Sequence, residues 1–238
     1  MDNEIVAVKV FQVGKYDPRE LTAGKQLRDY NDDSIYPFLV LEYANMKTLD
    51  IVAKQTQFSL PSFALRALMK QILEGIRSFH AAGFIHRDIK TDNILLNSPP
   101  GSGQVHIKIS DFGFAKQDIY SNEITYFKGT LSYMGPELTK KPLVVTQKVD
   151  MYAIGITFYH LITHKYPHTF RTYKELQTKM AQLKCIERPS ELKDNLLWNL
   201  LSQLLEFDPN KRISAEVALK HSFFTGEEAK HDLTPEQQ

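Results

Sequence analysis

His86-Arg87-Asp88-Ile89-Lys90-Thr91-Asp92-Asn93 sets a histidine, two cations, two carboxylates and a carboxamide within eight consecutive positions. Regular structure is expected on both sides. Upstream, from Ser62, the apolar residues Leu65, Leu68, Ile72, Ile76 and Phe79 recur at steps of three and four, the spacing of one helix face. Gly83 then stands where a helix-ending glycine would. Downstream, Asn93-Ile94-Leu95-Leu96 and Val105-His106-Ile107-Lys108-Ile109 read as short strands. Ser98-Pro99-Pro100-Gly101-Ser102-Gly103 between them is a turn by composition.

Further out, Ile5-Val6-Ala7-Val8-Lys9-Val10 is β-branched and short, and Phe38-Leu39-Val40-Leu41-Glu42-Tyr43 is a second such run. Residues 17–30 are expected to form a short helix, with Asp17 as N-cap and Pro18 at its first position. Residues 111–136 are polar and irregular, and a loop of that length inside a compact domain is usually functional or disordered. From Asp150 the pattern is helical, over 151–163, 173–183, 195–206 and 214–220, and the polar tail after Gly226 is expected to fray. Strands first and helices later argue an α+β fold in two unequal parts. The break between them is expected near 44–48, and a cleft there is a common place for a ligand.

The 238 residues are enough for a sizeable core, with 42% hydrophobic and 24% charged residues. A net charge of +1 gives no field that would draw nucleic acid or an anionic membrane, so neither is an expected partner. The single cysteine, Cys185, cannot form an internal disulfide. The acidic start, Met1-Asp2-Asn3-Glu4, lacks the basic region of a signal peptide. The longest apolar stretch, 152–162, is too short to span a bilayer, so a soluble, cytoplasmic protein is expected.

Val6-Ala7-Val8-Lys9, the opening octet with Asn93 five residues after Asp88, Asp111-Phe112-Gly113, and Gly135-Pro136-Glu137 follow one another in order. Together they resemble the eukaryotic-type protein kinase superfamily in its serine/threonine branch. Taken singly, Asp-Phe-Gly is a common turn and Lys9 a solvated strand end; the spacing of Asp88, Lys90 and Asn93 is the specific signal. The resemblance implies a bilobal fold over 1–226, with a partial strand-rich lobe over 1–43, a mainly helical lobe over 44–226 and a polar tail over 227–238. It implies ATP and Mg²⁺ as cofactors, and protein substrates and an upstream activating kinase as partners.

By the same resemblance, Asp88 accepts the proton of the attacking hydroxyl, Lys90 sits near the γ-phosphate, and Asn93 and Asp111 hold magnesium. Lys9 grips the α- and β-phosphates and is oriented by Glu20. Ala7 and Leu95 sandwich adenine, whose edge meets the backbone from Glu42 to Ala44. Asp150 pins the catalytic loop, Arg212 pairs with Glu137, and His86 is a packed anchor. Arg87 and Lys116 would receive a phosphate placed on Thr125 or Tyr126. Thr130 is expected beside Asp88, and Leu131 in the pocket next to the acceptor residue.

The chain departs from the pattern in its first part. Glu20 lies only eleven residues past Lys9, the stretch from Lys9 to Leu41-Glu42-Tyr43 is short by about one strand, and no Gly-x-Gly-x-x-Gly precedes Lys9. Two expectations follow: a piece of a longer kinase, or a short chain with weak nucleotide binding that acts as a pseudokinase or scaffold. A purely structural role for the helical part is the third and weakest.

Overall fold

The computed structural model describes residues 6–10, 38–117 and 130–232. β1 (Val6–Val10) pairs antiparallel with β2 (Phe38–Glu42), Ala7 opposite Leu41 and Lys9 opposite Leu39. Val6 and Val8 are exposed and Ala7 is half-buried, the alternation of a strand with one face covered. The helix expected over 17–30 lies outside the described residues.

From β2 the chain runs through α1 (Asp50–Ala53), α2 (Ser62–Ala81), β3 (Phe84–Ile85), β4 (Ile94–Asn97), β5 (His106–Ile109) and β6 (Lys116–Gln117). Helices follow: α3 (Lys148–Thr163), α4 (Tyr173–Gln182), α5 (Asn195–Leu204), α6 (Ala215–Leu219), α7 (Ser222–Thr225) and α8 (Glu227–His231). A small strand-containing part thus precedes a larger, mostly helical one. At the boundary, backbone leaving β2 is stitched to β4. Met46 N donates to Leu96 O and Leu96 N to Lys47 O, both at 3.1 Å, and Leu49 N donates to Ile94 O at 2.7 Å.

α2 buries Leu65, Leu68, Met69, Ile72, Leu73, Ile76 and Phe79 along one face, as its spacing implies. It ends at Gly83, whose φ of 80° is a left-handed conformation that glycine adopts without strain. α3 is buried almost all round, from Val149 to Leu161, which marks the central helix of the larger part. Gly155 allows its close approach to α5, because a Cβ there would lie 2.8 Å from Leu205 Cδ2. Each fully buried leucine or isoleucine of this core contributes about 1.5–3 kcal/mol of transfer free energy. Among the described residues no helix is long and apolar enough to cross a membrane.

Two expectations are corrected. The helix expected over 151–163 starts earlier, at Lys148, so Asp150 lies inside α3 and its carboxylate reaches out of the helix. The segment after Gly226 does not simply fray. α8 buries Ala229, and Asp232 Oδ2 lies 2.6 Å from Nε of Arg66, a nearly buried cation on α2 that needs a carboxylate.

Candidate active site

Asp150 is fully buried and takes three donors: the backbone N–H groups of His86 and Arg87 and the His80 ring Nε2, each at 2.8 Å. Arg87 has φ 66°, a left-handed conformation that costs a non-glycine residue about 1–3 kcal/mol. Two N–H groups converging on one carboxylate hold the bend in place. Arg87 Nε also donates to Phe114 O at 2.6 Å, tying the bend to the segment after Asp111.

His86 is buried within this bend. A neutral ring protonated on Nε2 satisfies both of its contacts: it donates to Ser110 O at 3.1 Å, and Nδ1 accepts from Asp88 N at 3.4 Å. Burial pushes its pKa down, opposed chiefly by Asp150, which keeps the ring uncharged. The ring packs against Phe79 and Phe112, centroids 5.7 and 5.6 Å away.

Past the bend, Asp88 Oδ2 is 2.9 Å from both Lys90 Nζ and Asn93 Nδ2, and Asn93 Nδ2 also donates to Asp88 O at 2.8 Å. A turn over Thr91–Asn93, closed by Asn93 N donating to Lys90 O at 3.1 Å, brings these side chains round to Asp88. Asp88 and Asn93 are buried and Lys90 is half-buried. The pairing of Ile94 with Ile109 sets Ser110 opposite Asn93, so Ser110 N and Oγ donate to Asn93 O at 2.9 and 3.0 Å. Asp111 follows at once, exposed and with φ 64°.

The structure therefore joins Asp88, Lys90 and Asn93 in one bonded cluster and sets Asp111 at its edge. Asn93 turns its Nδ2 to Asp88, which leaves its amide oxygen as the atom that could ligate a metal. Among the described residues no group of three or more His, Cys, Asp or Glu side chains forms a metal cage. One carboxylate and one amide oxygen suit magnesium, which keeps waters and takes its remaining ligands from phosphate oxygens.

The other expected residues fall into three groups. Leu95 is half-buried on β4, bridged to Thr48 and opposite Lys108, whose Nζ pairs with Glu42 at the end of β2. Half-buried Ala44 follows Glu42 by two residues at the junction of the two parts, and half-buried Ala7 lies on β1 opposite Leu41. Lys9 and Lys116 are placed by their backbones alone, Lys116 opposite Ile85 and so close to the bend at Arg87. Glu20, Thr125 and Tyr126 lie outside the described residues.

The protein kinase domain profile matches residues 2–224. The chain belongs to the protein kinase family. The kinase domain is 30% identical over 204 residues to serine/threonine-protein kinase ULK3 of Xenopus laevis, a match covering 83% of this chain and 42% of that protein. It is 33% identical over 214 residues to serine/threonine-protein kinase cds1 of Schizosaccharomyces pombe, covering 82% and 42%. It is also 30% identical over 226 residues to the human phosphorylase b kinase gamma catalytic chain, liver/testis isoform, covering 89% and 53%. The chain thus spans about half the length of these relatives or less.

In this kinase domain Glu137 and Arg212 form a two-pronged pair at 2.6 and 2.9 Å, with the guanidinium 5.0 Å from the Tyr152 ring centroid. Gly135 makes room for the carboxylate, since a Cβ there would lie 2.4 Å from Glu137 Oε2. Sequence reasoning missed His80 on Asp150 and a polar group of buried Asp50, Thr91 and Tyr133 with half-buried Tyr166. Thr91 stands between Lys90 and Asp92, where every neighbour is polar, so nothing in the pattern marked it as buried.

Proposed function

We propose that this chain is an ATP-dependent protein kinase that transfers the γ-phosphoryl group to serine or threonine hydroxyls of protein substrates. The observation that carries this is the bonded cluster of Asp88, Lys90 and Asn93, with Asp111 at its edge. Phosphoryl transfer asks the protein mainly for positioning and charge neutralisation. The Lys90 ammonium and the Asn93 amide that touch the Asp88 carboxylate both address Oδ2, so Oδ1 is the oxygen left to take the proton of the incoming hydroxyl. The oxygen of the substrate hydroxyl, its proton passed to Asp88, then attacks the γ-phosphorus, the bond from the γ-phosphorus to the bridging oxygen breaks, and ADP leaves. Lys90 stands close enough to Asp88 to neutralise charge on the transferred group. Magnesium, held by Asn93 and Asp111, would neutralise charge on the phosphate oxygens.

Lys9, oriented by Glu20, completes the phosphate grip, with adenine between Ala7 and Leu95 and its edge on the backbone of Glu42 to Ala44. The kinase domain is taken as 1–226. An upstream kinase acting on Thr125 or Tyr126 would place a phosphate within reach of Arg87 and Lys116, ordering the loop between Asp111 and Glu137. The test is label transfer from γ-labelled ATP to a mixed library of Ser-, Thr- and Tyr-containing peptides. Label on serine and threonine is expected. Label on tyrosine alone would refute the substrate class, and no transfer at all would leave a pseudokinase or scaffold with weak or no ATP turnover as the better description.

A further inference from the structure

Thr91 is completely buried, although threonine is mostly a surface residue. Its hydroxyl lies 3.2 Å from Asp50 Oδ1 and 3.3 Å from the Tyr133 hydroxyl, which in turn is 3.1 Å from the Tyr166 hydroxyl. These contacts join four separate segments: α1, the loop that carries Asp88, the turn Leu131–Tyr133, and the residues just after α3. The direction of the chain follows from chemistry. An ionised carboxylate only accepts, so Thr91 O–H donates to Asp50; the Thr91 oxygen accepts from Tyr133 O–H, whose oxygen accepts from Tyr166 O–H. Each hydroxyl gives its one proton in the same sense. Burial drives the Tyr133 pKa far up, which keeps that phenol a donor at any working pH.

Both ends of the chain are held. Asp50 is paired with Lys54 at 2.6 Å, and the Tyr166 ring stacks on the buried His160 ring with centroids 4.1 Å apart. Thr91 sits between the two residues that address the Asp88 carboxylate, Lys90 just before it and Asn93 two residues on. A shift of the Thr91 backbone would move both donors at once. Misplacing reacting groups by about 1 Å can cost on the order of 100-fold in rate.

We propose that Thr91 is a positioning residue, whose hydroxyl locks the loop bearing Asp88, Lys90 and Asn93 in register with the Leu131–Tyr133 turn on the protein-substrate side. This rests on the kinase function proposed above. It assigns the Asp50–Thr91–Tyr133–Tyr166 chain to alignment of the acceptor hydroxyl and leaves the nucleotide grip to other residues.

The test is kinetics of peptide phosphorylation by the whole chain for wild type, Thr91→Val, Thr91→Ser and Tyr133→Phe. Valine keeps the shape and removes the hydroxyl; serine keeps the hydroxyl. Thr91→Val and Tyr133→Phe are each expected to lower kcat about tenfold or more, with the KM for ATP within about twofold of wild type. Thr91→Ser should recover most of the loss, and the Thr91→Val/Tyr133→Phe double variant should be little worse than either single one, since both break the same chain. Wild-type kcat in Thr91→Val, or a loss in Thr91→Ser as large as in Thr91→Val, overturns the proposal and leaves Thr91 as packing. If Thr91→Val does not fold, Thr91→Ser and Tyr133→Phe decide: serine near wild type with phenylalanine impaired supports it, and any other pairing overturns it. An inert wild type removes the kinase function and this proposal together, whereas an active wild type with unaffected variants removes this proposal alone.

Discussion

Arg212 carries a full charge at 1% exposure, a position tolerable only because Glu137 meets it with two hydrogen bonds and the Glu206 carbonyl takes its Nε at 2.7 Å. Breaking such a pair on one side leaves an uncompensated buried charge. Glu137→Ala is expected to cost about 3–5 kcal/mol of unfolding free energy, read from a urea transition. Replacing both partners by apolar residues, Glu137→Met with Arg212→Leu, should cost clearly less than the single change. A single variant within about 1 kcal/mol of wild type would show that the pair does not hold this part of the fold. Its identity was legible because Pro136-Glu137 and Lys211-Arg212 are short local motifs. The polar chain through Thr91 was not, since its contacts join residues 42 and 33 positions apart and no local pattern announces them.

At the scale of elements, α2 was readable from end to end, because one apolar stripe and one glycine define it. α3 was read three residues too short at its start, because the apolar run begins only at Met151, whereas the reach of the Asp150 carboxylate to the backbone of His86 and Arg87 is as the family resemblance implied. α8 was missed because its residues are polar and its anchor, Arg66, lies on a helix more than 150 residues away in sequence. Arg66 binds Asp232 and the Phe223 carbonyl, with its guanidinium 4.4 Å from the Phe223 ring centroid. Asp232→Asn should therefore loosen α8 by about 1.5–3 kcal/mol without global unfolding. Hydrogen exchange at Ala229 and Lys230 is the measurement; unchanged protection there would mean that apolar packing alone holds the helix.

The whole molecule follows the order of its sequence, a strand-containing part and then a helical one, with the cluster around Asp88 on the larger part and the stitched connection from Met46 to Leu49 beside it. Its stability should depend on pH in a definite sense. Burial lowers the pKa of His86, His160, His168 and His221. Above the unfolded value near 6.5 these rings are neutral in both states and contribute no slope; below it the unfolded chain binds protons that the folded chain does not. Stability should therefore fall as pH drops from about 7.5 to about 5.5, in a window where carboxylates have scarcely begun to titrate. Thermal midpoints at those pH values are the check, and a midpoint that rises on acidification would contradict the assignment of these buried and half-buried histidines as neutral.

The proton-accepting role proposed for Asp88 can be tested most directly by one substitution. Asp88→Asn keeps the shape and removes the basicity, so label transfer from γ-labelled ATP to a serine peptide, with magnesium present, should fall about 10²–10⁴-fold relative to wild type while Mg-ATP still raises the melting temperature of both proteins. Equal transfer rates for Asp88→Asn and wild type would contradict the role given to Asp88, and with it the catalytic assignment of the whole cluster.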